Sequence, residues 1–365
     1  MSNLVFRLKS LIFGGRDERL SIPIMDGALK PNNALEKAPA LCEQRGLEDL
    51  AVGADGELYA ACGPAIARVE RDGALTEVAR FERDITALAA LPDGRLAAAL
   101  GDAVALDALK PKGPRVEAVD GQRFNAVTAL AAAPDGGLLI ADGSTTRPYA
   151  QWSHDLLEKG RTGRVALCDA GGRARLLASG LEYAFGVLAE ADGRALVSES
   201  WRHQLARVGA GAKAAALTNV TGYPARMTRA GGGGFWLCVF AARTQLVEFV
   251  LCENDYRRDM MRTVDPRYWV APALSSGEDF REPLQGGSVK QMGILKPWAP
   301  PRSYGLVVRV GDDFIPKFSL HSRVGGRRHG VVAVAERGDE LFVLSKGAEQ
   351  ILRLSVRDAS EGGLE

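Results

Sequence analysis

Three charged residues stand at the start of short apolar segments. Glu48 begins EDLAVGADGELYAAC, Arg226 begins RMTRAGGGGFWLCVF, and His329 begins HGVVAVAERGDELFVLS. A charge buried at such a place must be paired or used in chemistry. A carboxylate or an imidazole can act as acid and base, and a guanidinium can bind an anionic or carbonyl oxygen. We predict Glu48 and His329 as catalytic residues and Arg226 as a substrate-binding residue; the alternative is an ion-pair plug.

A repeated unit positions these residues. In each unit an apolar strand, a turn of the Asp-Gly kind and a second apolar strand follow one another, and third and fourth strands follow in most units. The turn glycines Gly56, Gly94, Gly136 and Gly193 are separated by 38, 42 and 57 residues. Asp-Gly between apolar runs is a strong hairpin signal, and this repeat length is typical of a propeller blade. Six such units predict six blades.

The sixth unit stops after its third strand. The segment APALCEQ, at residues 38–44, precedes the first unit as the fourth strands precede the other units. It can therefore close the ring, which removes the exposed edges of an open array. The predicted fold is all-β, a six-bladed β-propeller at residues 38–357, with an N-terminal arm at residues 1–37 and a polar tail at residues 358–365.

Two blades carry insertions between their second and third strands, at about residues 143–162 and 241–303, and both include helical patterns. Strands run up and down within a blade, so these loops share a face with the starts of the first strands. We predict that the insertions form a lid there and that the channel mouth is the binding pocket. We expect the strand starts Glu48, Thr86, Thr128, Phe185, Arg226 and His329 to ring the channel axis. Further predicted substrate-binding residues are Thr128, Phe185, Asp142, Tyr149, Trp152, Glu199, Trp201, Arg202 and Arg243, whereas Lys346 on the same face is expected to be solvated.

The composition excludes several classes of partner. Lys plus Arg number 46 against 45 Asp plus Glu, so no broad basic surface for nucleic acid is expected. No apolar run reaches the roughly 18 residues of a membrane span, although residues 4–13 could make a weak contact with a membrane surface. The five cysteines form no CxxC pair and indicate a reducing compartment, so we predict a cytoplasmic protein that acts on a small molecule.

A family resemblance rests on longer motifs. Residues 138–208 contain ADGST, WSHDLLEKGRTGRV and SESWRHQLARV, and TGYPARMTRAGGGGFWL and YGLVVRV follow. These motifs resemble the strictosidine-synthase-like proteins over most of the chain. The resemblance implies a six-bladed propeller related to the SMP-30/gluconolactonase and paraoxonase type of calcium-dependent hydrolase. It implies either lactone or ester hydrolysis or, as in the plant enzyme, amine–aldehyde condensation.

The resemblance also implies an axial Ca²⁺ held by Glu, Asn and Asp at the strand starts. Glu48 matches the first of these ligands, but Thr128, Phe185 and Arg226 occupy the other positions. Calcium takes six to eight oxygen ligands, whereas Phe offers none and Arg brings a positive charge. The sequence therefore argues against calcium, with Glu48 as the one candidate ligand, and indicates no other cofactor. The catalytic Glu of the condensing enzyme, in the last blade, roughly corresponds to His329.

Three functions stay open at this point. The first is a hydrolase of a small lactone or ester at the channel mouth, which we favour. The second is an amine–carbonyl condensing enzyme or lyase of the strictosidine-synthase kind. The third is a propeller that binds a small molecule without catalysis.

Overall fold

The computed structural model contains six four-stranded antiparallel sheets, which form the six blades of a propeller. The structure describes residues 22–209, 211–283 and 302–360. The predictions for residues 4–13, for the middle of the second insertion and for the end of the polar tail lie outside these ranges. Along the described chain, no helix has the length and apolar character that crossing a membrane requires.

The strands are numbered in chain order, and the innermost strand of each blade is given first. The closing strand is β1 (Ala40–Glu43), and blade 1 contains β2 (Leu47–Val52), β3 (Leu58–Cys62), β4 (Ala65–Val69) and β5 (Leu75–Arg80). Blade 2 contains β6 (Ala87–Ala90), β7 (Leu96–Ala99), β8 (Val104–Ala105) and β9 (Arg115–Val116), and a small hairpin of β10 (Ala118–Val119) and β11 (Gln122–Arg123) follows. Blade 3 contains β12 (Val127–Ala132), β13 (Leu138–Asp142), β14 (Gly163–Cys168) and β15 (Ala174–Leu181).

Blade 4 contains β16 (Ala184–Ala189), β17 (Ala195–Glu199), β18 (Gln204–Gly209) and β19 (Ala212–Leu217). Blade 5 contains β20 (Gly222–Arg229), β21 (Phe235–Ala242), β22 (Gly305–Val310) and β23 (Pro316–Ser322). Blade 6 contains β24 (Val331–Arg337), β25 (Glu340–Ser345) and β26 (Gln350–Ser355). The α-helices among the described residues are Ala34–Lys37, Trp152–Glu158, Gln245–Cys252, Asn254–Thr263 and Val356–Ser360.

The N-terminal strand closes the ring, as the sequence predicted. Strand β1 pairs antiparallel with β26, with Cys42 opposite Ile351, so the first and last parts of the propeller share one sheet. This pairing gives blade 6 its fourth strand and leaves the propeller without an open end between its first and last blades.

The Asp-Gly turns adopt the backbone conformation that their sequence requires. The turn glycines Gly56, Gly94, Gly136 and Gly193 have φ between +78° and +87°, which is the left-handed region that side chains disfavour. Each turn joins an inner strand to the next strand of its blade. Inner strands such as β2 are almost entirely buried, whereas outer strands such as β5 face water on most positions.

Blade 2 departs from the regular pattern because its outer strands β8 and β9 have two residues each. The segment between them, LDALKPKGP, contains Pro111, Gly113 and Pro114. Proline cannot donate to a strand ladder, and glycine weakens one, so pairing is restricted to the short stretches that flank this segment.

The two insertions pack on one another. Leu157 of the first insertion lies in one apolar cluster with Val250, Met260, Trp269 and Ala271 of the second. The Leu157 carbonyl also accepts a hydrogen bond from the buried Arg257 guanidinium. These contacts join the two insertions into one small core on the face where β12, β16 and β20 begin.

Candidate functional site at the channel mouth

The inner strands turn one residue each toward the channel through β-bulges. The strand register shifts at Glu48 in β2, Thr128 in β12 and Val332 in β24. It also shifts across Phe185 in β16 and across Arg226 in β20. A bulge inserts an unpaired residue and re-aims its side chain, so five blades use the same device to present a residue to the axis.

Arg226 lies at the centre of this ring. Its guanidinium donates to the backbone carbonyl oxygens of Thr128 (2.9 Å), Glu48 (3.0 Å), Thr86 (2.6 Å) and Val332 (3.4 Å). These four acceptors belong to the inner segments of blades 3, 1, 2 and 6. One side chain of blade 5 therefore ties the inner strands of four other blades together.

Two carboxylates compensate the buried charge of Arg226. Asp49 Oδ2 lies 3.3 Å from Nε, Glu48 Oε1 lies 3.5 Å from Nη2, and the Phe185 ring centroid is 5.4 Å from the guanidinium carbon. Burial alone would lower the pKa of Arg226, but the negative charges of Asp49 and of Glu48 outweigh it and the pKa is raised. An ion-pair cluster of Arg226, Glu48 and Asp49 thus fills the axis. The plug considered from the sequence joined Arg226 and Glu48 to His329, and the structure has Asp49 in its place.

Asp49 is the more deeply buried of the two carboxylates. Burial raises its pKa to about 6, although Arg226 and the backbone amides of Leu88 and Leu50 act in the opposite direction. The sequence analysis did not single out this residue. The signal was available, because two consecutive acidic residues in an otherwise apolar inner strand cannot both face solvent.

The other side of Glu48 faces the insertions. Tyr149, from the first insertion, donates its hydroxyl to Glu48 Oε1, and Lys346 donates its ammonium to Oε2. The Lys346 Nζ lies 5.3 Å from the Tyr149 ring centroid. Burial and the charge of Glu48 raise the pKa of Tyr149 well above its usual range. Lys346 was expected to be solvated; the structure instead places its ammonium on the Glu48 carboxylate.

Aromatic side chains form a box above this polar cluster. Tyr183 stacks on Trp201 with ring centroids 4.4 Å apart, and Trp152 meets Phe240 edge to face at 5.4 Å. The box encloses about 20 Å³, which is room for one water molecule. Its lining residues are Tyr149, Trp152, Tyr183, Phe185, Trp201, Phe240, Leu274, Val332 and Lys346.

Asp155 holds the indole of Trp201, the central ring of the aromatic box, in place. Trp201 donates its indole N–H to Asp155 Oδ1 at 2.7 Å, and Asp155 lies on the helix Trp152–Glu158 of the first insertion. Burial raises the pKa of Asp155, while Ser144 and Trp201 lower it through their hydrogen bonds. This contact couples the first insertion to blade 4.

His329 does not join the ring around the axis, which corrects the register expected for blade 6. Strand β24 begins at Val331, and its bulge presents Val332 to the channel. The His329 ring is buried elsewhere: Nδ1 is 2.7 Å from Ser303 Oγ, and Nε2 is 3.0 Å from the Arg323 carbonyl oxygen. Burial lowers its pKa.

Four other predicted site residues lie in polar networks at strand ends and in loops. Asp142 accepts from the Arg164 guanidinium at 2.9 Å, and Glu199 accepts from Lys213 at 2.7 Å. Arg202 lies 3.3 Å from Glu182, and Arg243 donates to Glu248 at 3.0 Å. The hydroxyl of Thr128 donates to the Ala184 carbonyl oxygen, so it joins blades 3 and 4. None of these side chains contributes to the lining of the aromatic box.

The channel does not fit the axial calcium that the family resemblance implies. Arg226 fills the centre of the ring, and Phe185 and Val332 present no oxygen there. No cluster of three His, Cys, Asp or Glu side chains suitable for a metal occurs within residues 22–209, 211–283 and 302–360. Calcium needs six to eight oxygen ligands, so the residues at the axis do not provide a site for it.

No protein-family model and no curated protein matches the chain. Solved structures do match. A structure described as that of a candidate gluconolactonase is 13% identical with a TM-score of 0.53, and the match covers 87% of this chain and 91% of that one. A gluconolactonase from Xanthomonas campestris, described as important in glucose secondary metabolic pathways, is 13% identical with a TM-score of 0.55, and the match covers 92% and 95%.

At this identity the likeness concerns the fold. The chain therefore has the six-bladed propeller architecture of structures in the gluconolactonase group. Its resemblance to the strictosidine-synthase-like proteins stays a prediction.

Proposed function

We propose that this propeller hydrolyses a small lactone or ester at the channel mouth, with Glu48 as general base. The observation that carries the proposal is the position of the Glu48 carboxylate. It lies beneath the small aromatic box and is bonded on its outer side by Tyr149 and Lys346, which both line that box. The hydroxyl and the ammonium line this water-sized space, and the carboxylate lies directly behind them. A carboxylate, a hydroxyl and an ammonium are the groups that general-base hydrolysis needs.

The chemistry can be assigned to these side chains without a metal. When the first insertion moves and Tyr149 leaves Glu48, one carboxylate oxygen is free to take a proton from a water molecule. The oxygen of that water bonds to the substrate carbonyl carbon, and the Lys346 ammonium stabilises the oxyanion. The bond from this carbon to the leaving oxygen then breaks. The proton on Glu48 passes to the leaving alkoxide, and a hydroxy acid or an acid and an alcohol result.

Arg226 supports this role from below. Its guanidinium compensates Asp49 and approaches Glu48 Oε1, so it fixes the carboxylate from the channel side. The residues at the described axis do not fit Ca²⁺, and in this mechanism the Lys346 ammonium is the electrophile. The fold shared with gluconolactonases and the motifs at residues 138–208 are both consistent with a hydrolase.

The test measures how fast the full chain turns over a panel of lactones and carboxylic esters, with proton release as the readout. We expect Glu48→Gln to lower kcat/KM by about 10²- to 10⁴-fold, the usual worth of a general base. Glu336→Gln is the matched control, because Glu336 is a partly buried carboxylate at the far end of an inner strand, bonded to Trp236. Equal turnover by Glu48→Gln and the wild type, at equal melting temperature, would contradict the assignment.

One observation favours the condensing reaction as a second candidate. The Lys346 ammonium lies against Glu48 and faces the Tyr149 ring, which is the place that the amine of a substrate would occupy. The same panel should therefore include aromatic amines paired with aldehydes, with mass spectrometry as the readout. A condensed amine product, with no lactone or ester turned over, would replace the hydrolase by this second candidate.

A further inference from the structure

A second cavity lies beside the aromatic box, between the two insertions. It has a volume of about 400 Å³, and one wall is apolar, with Trp152, Ala271, Pro272 and Leu274. The rest of its lining includes the charged residues Arg267, Glu278, Asp279, Glu282 and Arg302. Trp152 and Leu274 also line the aromatic box. These two side chains are therefore a partition with the small inner box on one side and the larger outer cavity on the other.

The inner box is too small for an organic substrate as it stands. A space of about 20 Å³ holds one water molecule, so any substrate that reaches the floor has to displace part of the wall. The partition is the part of the wall with space behind it. Its displacement would join the box to the outer cavity.

The two members of the partition are held differently. The backbone of Leu274 is pressed against blade 6, because a Cβ added to Gly347 or Gly330 would lie 2.1 Å or 2.8 Å from the Leu274 carbonyl oxygen. The side chains of Trp152 and Leu274 are both partly buried, and Trp152 is the first residue of its helix. The indole of Trp152 is therefore the member that can turn aside, and Leu274 is the fixed edge.

The chemistry of the walls restricts what can enter. Three polar groups of the box are already bonded to protein partners: Trp201 Nε1 to Asp155, and both Tyr149 and Lys346 to Glu48. The remaining surface is mostly aromatic or aliphatic. A polyhydroxylated ring would leave hydroxyls without hydrogen-bond partners in such a box, which is unfavourable. An alkyl or aryl group loses no hydrogen bond there.

We propose that the substrate is an amphiphilic lactone or ester whose apolar arm passes between Trp152 and Leu274 into the outer cavity. This inference rests on the proposed hydrolase function and names its substrate class. The carbonyl is held at Glu48 and Lys346, and the outer cavity is the subsite for the arm. Glucono-δ-lactone, which carries hydroxyls on its ring and no apolar arm, is a poor substrate on this view.

The experiment compares a series of γ-lactones with alkyl arms of one to eight carbons, with glucono-δ-lactone as the polar reference. We expect kcat/KM to rise by about fourfold for each methylene that becomes buried, until the apolar wall of the outer cavity is covered. Leu274→Trp narrows the passage from its fixed side. It should lower the ratio of kcat/KM between the longest and the shortest lactone by at least tenfold. The control is Phe249→Ala, an exposed position on the helix Gln245–Cys252, which should keep the ratio of the wild type.

Binding separates this inference from the function on which it rests. The dissociation constants of the same lactones, measured by calorimetry, should fall with arm length in the wild type and not in Leu274→Trp, whether or not any lactone is hydrolysed. If none of the lactones is turned over but this binding trend is intact, the hydrolase function is refuted and the subsite stands. A preference for glucono-δ-lactone, or affinities independent of arm length, would overturn the subsite.

Discussion

Replacing Arg226 by Met is the sharpest test of how the channel is organised. Met keeps much of the length of the side chain but removes the charge and the hydrogen bonds to the carbonyl oxygens of Glu48, Thr86 and Thr128. It also leaves Asp49 buried without its cation. Removal of one partner from a buried ion pair costs about 3–5 kcal/mol, so we expect the free energy of unfolding to fall by roughly that amount near neutral pH.

The pH dependence of this loss follows from Asp49. Its pKa is raised from 3.8 to about 6 in the folded protein, so the folded state holds the proton more tightly than the unfolded state. This tighter proton binding contributes about 3 kcal/mol to the free energy of unfolding of the wild type. The contribution is present below pH 4 and is lost as the pH rises through 6. Without Arg226 the pKa of Asp49 rises further. The penalty of Arg226→Met should therefore be smaller at pH 5, where Asp49 is mostly neutral, than at pH 8.

The assay is urea unfolding at pH 5 and pH 8, with the midpoint and the slope recorded for the wild type and the variant. Arg164→Met is the matched control, because Arg164 also forms a buried pair, with Asp142 at 2.9 Å, but lies outside the channel ring. Both variants should lose stability, but only Arg226→Met should also lose turnover. A loss below about 1 kcal/mol, or an equal loss at the two pH values, would refute the reasoning about the Arg226–Asp49 pair.

Three further predictions concern the same region. Gly186→Ala places a Cβ 2.3 Å from the Ala225 carbonyl oxygen, so we expect a destabilisation of about 1–3 kcal/mol in urea unfolding. The control is Gly232→Ala, whose Cβ meets no atom closer than 3.9 Å and which should unfold nearly as the wild type. Trp201→Phe leaves the buried Asp155 carboxylate without its indole donor, so the free energy of unfolding should fall by about 1–3 kcal/mol. The near-UV circular dichroism signal of the aromatic box should change as well. Unchanged stability and an unchanged signal would argue against that hydrogen bond. Because the channel axis does not fit Ca²⁺, EDTA and added Ca²⁺ should leave the melting temperature and any activity unchanged, and a chelator-sensitive activity would contradict the description of the axis.

The blade architecture could be predicted from the sequence because its signals are local. Asp-Gly turns at Gly56, Gly94, Gly136 and Gly193 fix hairpins within a few residues, and the alternation of buried and exposed strands follows within each unit. The closure by the strand Ala40–Glu43 followed from counting strands, since the last unit lacked one. These steps needed no knowledge of contacts between distant residues.

Part of the site was also predictable. Glu48 and Arg226 were identified as charges at inner strand starts, and the structure brings them to within 3.5 Å of each other. Tyr149, Trp152 and Trp201 were placed on the correct face by the strand order alone, and all three line the aromatic box.

The register at the axis and the partners of the charges were decided by the tertiary structure. The bulge in blade 6 moves the axial position from His329 to Val332, and a bulge depends on how the neighbouring strand pairs. Lys346 reaches Glu48 across 298 residues of sequence, so its ion pair exists only once blades 6 and 1 are adjacent. Hairpins form from neighbouring residues, whereas a buried charge finds its partner only when the ring has closed.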